Sequence, residues 1–179
     1  IVTTPAPRLA HSAALALALS ACLAAPLAAQ TPPEAIARTE APADWSAQAF
    51  RGIGFALPPG WQEMQRSDEG AVFFGGDVDS RTGPGFALML EDDPDSIFSG
   101  SEVTELGQVM FANGQIFRRI GSLVTQGGVT MQAEILVSLV PLVGEDHLIL
   151  VQTAYNGPLD PQRAVFDGIL AAIDLPAPG

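Results

Sequence analysis

Four acidic residues are the side chains in this sequence best suited to ligand chemistry. Asp77 and Asp79 lie in one glycine-rich loop, and Glu91 and Asp92 lie at the end of the following apolar run. If the loop and the strand end meet in space, their carboxylate oxygens could hold a hard cation such as Ca²⁺. The spacing departs from an EF-hand, because Arg81 stands where an acidic ligand belongs. The alternative is a solvated acidic surface, so no metal ligand is assigned and no cofactor is predicted.

His147 is the only histidine after the first thirty residues, and imidazole can transfer protons near neutral pH. It follows Glu145 and Asp146 in a predicted turn, which favours a solvated residue over a catalytic one. No partner serine is identifiable, and the chain contains no nucleophile elbow, phosphate-binding glycine loop, paired-cysteine site or zinc-protease motif. These observations favour a non-catalytic protein, and a small periplasmic enzyme that uses His147 is the alternative.

Arg118 and Arg119 are adjacent on a predicted strand, so their side chains point to opposite faces of the sheet. They cannot easily clamp one carboxylate ligand together. The sequence predicts ion pairs between these arginines and the surplus acidic residues.

The composition indicates a folded domain and argues against nucleic-acid binding. The chain has 179 residues, of which 47% are hydrophobic and 16% charged, enough to bury a core in one domain. Eight arginines, no lysine and 20 acidic residues give a net charge of -12, which repels a phosphate backbone. The single cysteine excludes an internal disulfide.

An apolar run, Ala13 to Ala29, follows Arg8 and is typical of an export signal. Two cleavage sites compete. Leu19 to Cys22 resembles the lipobox of bacterial lipoproteins, which implies lipidation of Cys22 and a membrane contact through that anchor. Cleavage after Ala29 would instead release a soluble protein. Either way the protein is predicted to be exported to the periplasm. The signal is residues 1–29, or a lipoprotein signal that ends before Cys22, and the Pro/Ala-rich stretch 30–44 is a linker.

The strands and helices that could position the acidic candidates and His147 occupy residues 45–179, which are predicted to form one domain. Period-two alternation predicts strands in the first part of this region and again from Ile116 to Tyr155, with tight turns at 126–128 and 144–146. Between the two sets, Ser99 with Glu102 resembles a capping box, and apolar residues follow at helical spacing: Val103, Leu106, Val109 and Met110. This pattern predicts a central helix that ends at Asn113-Gly114.

A C-terminal helix is predicted after Asp160-Pro161, with an apolar stripe that includes Val165, Phe166 and Ile169. Pro176 ends this segment. The predicted fold class is α+β, with an antiparallel sheet of six to seven strands and with the central and C-terminal helices packed on it.

The stretch from Gly52 to Trp61, which contains Pro58-Pro59-Gly60-Trp61, and the ending Ile173-Asp174-Leu175-Pro176 resemble the PsbP-like fold group of small exported bacterial proteins and lipoproteins. The resemblance covers about Ala49 to Pro176. It implies a non-catalytic accessory or binding module of the cell envelope, and it carries over no functional residue. The partner would be an unidentified protein or small ligand. We expect such a module to expose an apolar patch beside its sheet.

Overall fold

The computed structural model describes residues 31–77, 79, 80, 82–98, 101–126 and 128–177. The predicted signal segment and the lipidation candidate Cys22 lie outside the described residues. A compact unit runs from Pro32 to the C-terminus. No helix within the described ranges combines the length and the apolar character needed to span a bilayer.

The described residues of this unit form ten strands, one α-helix and two 3-10 turns. The strands are β1 (Glu34–Ile36), β2 (Ser46–Phe50), β3 (Ile53–Leu57), β4 (Gln62–Arg66), β5 (Gly70–Phe74), β6 (Gly83–Glu91), β7 (Glu102–Phe111), β8 (Ile116–Gln126), β9 (Val129–Ser138) and β10 (His147–Tyr155). The helix α1 is Arg163–Ala172, and the 3-10 turns are Pro94–Phe98 and Asp160–Gln162.

Eight strands form one sheet in the order β1-β7-β8-β9-β10-β6-β5-β4, while β2 and β3 form a separate hairpin. The predicted antiparallel pairing of the strands on either side of 126–128 and 144–146 is confirmed, because β8 pairs with β9 and β9 with β10. Strand β1 is parallel to β7, and the other pairs are antiparallel. The sheet therefore consists of two meanders, β4–β6 and β7–β10, which join where β6 pairs with β10, and β1 is added at the β7 edge.

One face of the sheet, here called the inner face, is covered by the β2–β3 hairpin and α1. The predicted C-terminal helix is confirmed, since Phe166 and Ile169 are fully buried and Val165 packs against the same core. Phe55 of β3 meets Phe73 edge-on with ring centroids 5.4 Å apart. Full burial of such side chains stabilises a fold by about 1.5–3 kcal/mol each, so this layer contains the main core.

The prediction of a sheet of six to seven strands with a central helix is wrong. The sheet has eight strands, and α1 is the only α-helix among the described residues. The segment predicted as a helix is β7, in which Val109 and Phe111 alternate into the core while Leu106 stays 49% exposed. Asn113 and Gly114 lie in the β7–β8 turn, where the Gly114 N–H donates to the Phe111 carbonyl oxygen at 2.8 Å.

The physical reason is that the apolar spacing of this segment fits both periods. Val103, Thr104 and Val109 are β-branched, which lowers helix propensity and favours strands. Gly107, with a φ of 114°, forms a bulge where the pairing with β8 shifts register. The cross-strand pairing with β8, which lies outside this segment, therefore outweighs the helical spacing within it.

The interval 30–44, predicted as a linker, contributes β1 to the folded unit. Glu34 to Ile36 pair with Val109 to Phe111. Further along, Arg38 forms an ion pair with Asp174 at 2.9 Å. This stretch is thus attached both to the sheet edge and to the segment that follows α1.

Candidate functional site

The opposite face of the sheet, here called the outer face, is only half covered. The 3-10 turn Pro94–Phe98 crosses it, and Ile97 and Phe98 pack against a small apolar cluster made of Ile120, Ala133, Ile135, Val137 and Ile149. Arg118 Nη1 donates to Asp95 Oδ1 at 3.0 Å, which holds the turn against β8. The half of the outer face beyond this turn is open.

The open half forms a concave apolar groove with a volume of about 770 Å³. Volumes of roughly 300–1,000 Å³ are typical of small-molecule sites. Six strands line the groove, and the residues include Met64 of β4, Val72 and Phe74 of β5, Ala87 and Met89 of β6, Val151 and Tyr155 of β10, Met131 of β9 and Val124 of β8.

Among the described residues, the lining of the groove carries no ionisable carboxylate, amine, guanidinium or imidazole. Its polar side chains are the hydroxyls of Thr153 and Tyr155. Three of the four methionines of the chain, Met64, Met89 and Met131, contribute to it. Such a surface binds by apolar contact and can offer hydrogen bonds only to an uncharged group.

One side of the groove, in the direction along the strands, is closed by an aromatic pair. The rings of Phe74 and Tyr155 meet edge-on with centroids 5.6 Å apart. A Cβ atom at Gly85 would clash with Thr153 Oγ1 and would lie 3.2 Å from Tyr155 Cε2. Gly85 therefore allows both side chains to lie flat against the sheet. Ala87, two residues further along β6, leaves the adjoining part of the groove open.

On the inner face a carboxylate holds two arginines. The Glu134 side chain is only 4% exposed, and its oxygens accept hydrogen bonds from Arg119 Nε at 2.8 Å and from Arg163 Nη1 at 2.9 Å. Arg119 also contacts Glu34 at 2.9 Å. The hydrogen bond to Glu134 raises the pKa of the Arg163 guanidinium. This network joins β1, β8, β9 and α1, and we interpret it as a structural contact between these elements.

The predicted ion pairing of the two adjacent arginines is confirmed. Arg119 lies on the inner face with Glu134, whereas Arg118 lies on the outer face and contacts Asp95 and Glu105 at 3.0 and 3.3 Å. The hydrogen bond with Glu105 raises the pKa of Arg118.

The structure does not bring the acidic candidates together. Asp77 and Asp79 lie in the loop before β6, while Glu91 and Asp92 lie at its other end. Strand β6 has nine residues, so its ends are about 26 Å apart. A side-chain hydrogen bond from Ser80 lowers the pKa of Asp77, and the Asp79 N–H also donates to that carboxylate at 3.0 Å. No group of three or more His, Cys, Asp or Glu side chains in the described ranges is placed to hold a metal ion.

His147 starts β10 and is half-buried, in contrast to the solvated turn residue that the sequence predicts. Its Nδ1 lies 2.7 Å from the backbone oxygen of Ser138. Tyr155, at the groove, is the last residue of the same nine-residue strand, about 26 Å away. His147 does not line the groove, and Val151, the nearest groove residue on β10, is four residues away, about 13 Å along the strand.

The groove residues are missing from the sequence-based candidates, although the sequence carries a signal for them. In the run Phe86 to Leu90 the residues between the core positions are Ala87 and Met89, and both are apolar. A strand that is apolar on both sides must be covered on both sides or must expose an apolar surface. The C-terminal part of β5 shows the same property, since Phe73 is buried and Phe74 faces the groove.

Comparisons with known proteins concern the fold alone. No family model matches the sequence, and no curated protein matches it. A solved structure from Bacteroides thetaiotaomicron is 9% identical, with a TM-score of 0.45 over 72% of this chain and 47% of that one, so the chain spans about half of its length. LpqN of Mycobacterium tuberculosis, described as involved in cell envelope biogenesis, is 13% identical with a TM-score of 0.44, covering 69% of this chain and 83% of LpqN. A mutant of the protein Mog1 is 13% identical with a TM-score of 0.43, covering 72% and 86%. None of the three descriptions names the PsbP-like group, and that resemblance stays a prediction.

Proposed function

We propose that this protein is a non-catalytic binding module of the bacterial cell envelope that holds an apolar ligand in the groove of its outer face. The observation that carries the proposal is the open concavity lined by Ala87, Val151 and their apolar neighbours. Folded domains rarely leave a contiguous apolar surface of several hundred Å² open unless it binds something. Covering it releases about 25 cal/mol for each Å² removed from water.

The proposed lack of catalysis is supported by what the polar groups of the site do. His147 has its Nδ1 against a backbone oxygen and does not line the groove. The hydroxyls that face the groove belong to Thr153 and Tyr155, which lie on one strand two residues apart. These groups suit recognition of a polar atom on the ligand, in keeping with a site that binds and releases its ligand unchanged.

The proposed envelope location rests on the apolar run from Ala13 to Ala29 and on the competing lipidation at Cys22. Mass spectrometry of the mature N-terminus tests it. Cleavage before Cys22 with added acyl mass means a tethered protein, and cleavage after Ala29 means a released one. An uncleaved chain that fractionates with the cytoplasm contradicts the proposed location.

Binding is tested with the environment-sensitive dye phenylnaphthylamine, whose fluorescence rises on transfer from water to an apolar site. The variant Ala87→Trp places an indole on the open floor of the groove without displacing core side chains, because Ala87 is only partly buried. The matched control is Ala47→Trp, which makes the same change at an exposed position of β2.

We expect saturable dye binding to the wild type and to Ala47→Trp, and affinity at least about tenfold weaker in Ala87→Trp, equivalent to about 1.4 kcal/mol. Urea unfolding verifies that both variants are folded. Failure of the folded wild type to bind the dye, or equal affinity in the two tryptophan variants, contradicts the proposed function.

A further inference from the structure

We propose that the ligand of the groove is the acyl chain of a lipid with an uncharged headgroup, lying across the strands from β4 towards β8. This inference rests on the proposed function and specifies its ligand. It is argued from the charge, the dimensions and the side-chain types of the groove.

The charge of the site favours an uncharged ligand. The part of the lining that the structure describes offers no cation to a carboxylate or phosphate, and the whole chain carries a net charge of -12. An anionic headgroup at the groove would be repelled by this field. The Thr153 and Tyr155 hydroxyls can donate to and accept from an ester or hydroxyl group. A neutral glyceride or alcohol headgroup fits both facts.

The groove is long enough for one leaflet-length chain together with its headgroup. The lining reaches from Met64 on β4 to Val124 on β8, which are five inter-strand spacings apart. At about 4.8 Å for each spacing the groove is about 24 Å long. Half of a hydrocarbon core about 30 Å thick is about 15 Å, which is the length of a chain in one leaflet.

The orientation of the acyl chain follows from the two features that close the groove in the direction along the strands. The Phe74–Tyr155 pair stands on one side, and the 3-10 turn Pro94–Phe98 stands on the other. The open direction therefore runs across the strands. A flexible chain can follow the twist of a sheet in this direction, and a long rigid ligand cannot.

The methionines favour a flexible ligand. Met64, Met89 and Met131 have unbranched side chains that adjust to irregular apolar shapes. A second copy of the protein fits less well. Across a two-fold axis it would present the same concave surface, and two facing concavities leave a void that forfeits contacts.

The test is displacement of phenylnaphthylamine from the processed protein by monooctanoyl-, monodecanoyl- and monolauroyl-glycerol below their micelle concentrations. Full burial of a methylene is worth about 0.8 kcal/mol, and half of that in an open groove gives about a fourfold gain in affinity for each added pair of methylenes. The sodium salts of the matching fatty acids should displace the dye less well, because they carry a carboxylate.

The variant Val124→Trp shortens the groove at its β8 end and should lower affinity most for the longest chain. Its matched control is Leu123→Trp, because Leu123 neighbours Val124 on β8 but pairs with Gln132 and faces the inner side. We expect the chain-length series of Leu123→Trp to equal that of the wild type.

The outcomes separate the inference from the proposed function. Dye binding that no glyceride displaces, or displacement without chain-length dependence, overturns the acyl-chain inference and leaves the apolar site. Absence of dye binding overturns the proposed function itself. A dimer in sedimentation analysis that Ala87→Trp dissociates would show that a second copy fills the groove, and this result also overturns the inference.

Organic extraction distinguishes a free lipid from the protein's own anchor. A neutral lipid recovered in the organic phase supports the inference. Acyl groups that remain only on the protein mass, with the dye site blocked, would show that a covalent anchor occupies the groove and would overturn it.

Discussion

The replacement Glu134→Gln tests the ion network on the inner face. The wild-type carboxylate is 4% exposed and accepts hydrogen bonds from Arg119 and Arg163 at 2.8–3.0 Å. A neutral amide turns its NH₂ group towards one of these donors and leaves two guanidiniums without their shared counter-ion. Breaking a buried pair costs about 3–5 kcal/mol, and we expect about 3 because Arg119 and Arg163 are partly exposed and keep Glu34 and Asp160 as partners.

Urea unfolding followed by circular dichroism measures this loss directly. The control is Glu105→Gln, which removes an exposed carboxylate at 3.3 Å from Arg118 and should cost less than about 1 kcal/mol. A second variant replaces Glu134 by Leu and both of its arginines by Met, and it should unfold close to the wild type, because an apolar replacement removes the desolvation cost as well. Equal losses in Glu134→Gln and Glu105→Gln would refute the reasoning.

Three further replacements test other contacts. Phe166→Ala should lower the free energy of unfolding by about 3–5 kcal/mol, since the ring is fully buried between α1 and the sheet, and Phe166→Leu should cost less in the same urea titration. Gly75→Ala should destabilise the fold and shift the tryptophan fluorescence, because its Cβ would clash with the Trp61 indole; an unchanged spectrum and stability would contradict this packing. Burial raises the pKa of Asp167, so the folded state binds its proton more tightly and stability falls as the pH rises through the folded value. Asp167→Asn should therefore gain stability over the wild type at neutral pH and lose that advantage below the ordinary carboxyl pKa of 3.8, in unfolding curves at both pH values.

Two segments were predictable from the sequence because a local signal and the packing agree. The stripe that includes Phe166 and Ile169 has helical spacing, begins after Asp160-Pro161 and faces the sheet. The alternation of β9 was equally clear, and the tight turns on both sides fixed its antiparallel neighbours. In these cases the residues that form an element also determine what it packs against.

The secondary structure of the central segment was not predictable in this way, because it depends on pairing with another strand. The pattern of Val103, Leu106 and Val109 fits a helical face as well as an interrupted strand. Only the ladder with β8 decides between them, and the position of β8 is not encoded in the segment itself.

The acidic candidates show the same limit for a site. Asp77 and Glu91 are close enough in sequence to suggest a shared cation, and yet an extended strand lies between them and holds them far apart. The groove shows the reverse case, in which residues far apart in the sequence lie close together in the structure. Its residues, from Met64 to Tyr155, are scattered over six strands and meet only once the strand order is known.

The three residues of β1 cover the edge of the sheet that β7 would otherwise expose. They occupy the backbone groups of Val109 to Phe111 that would otherwise face solvent. A chain shortened to begin at Trp45 would uncover this row of donors and acceptors, and an uncovered row is a template for pairing with other molecules. We expect such a chain to self-associate at concentrations where the complete unit stays dispersed. The expected role of this proline-rich stretch is thus to keep β7 from pairing with other molecules.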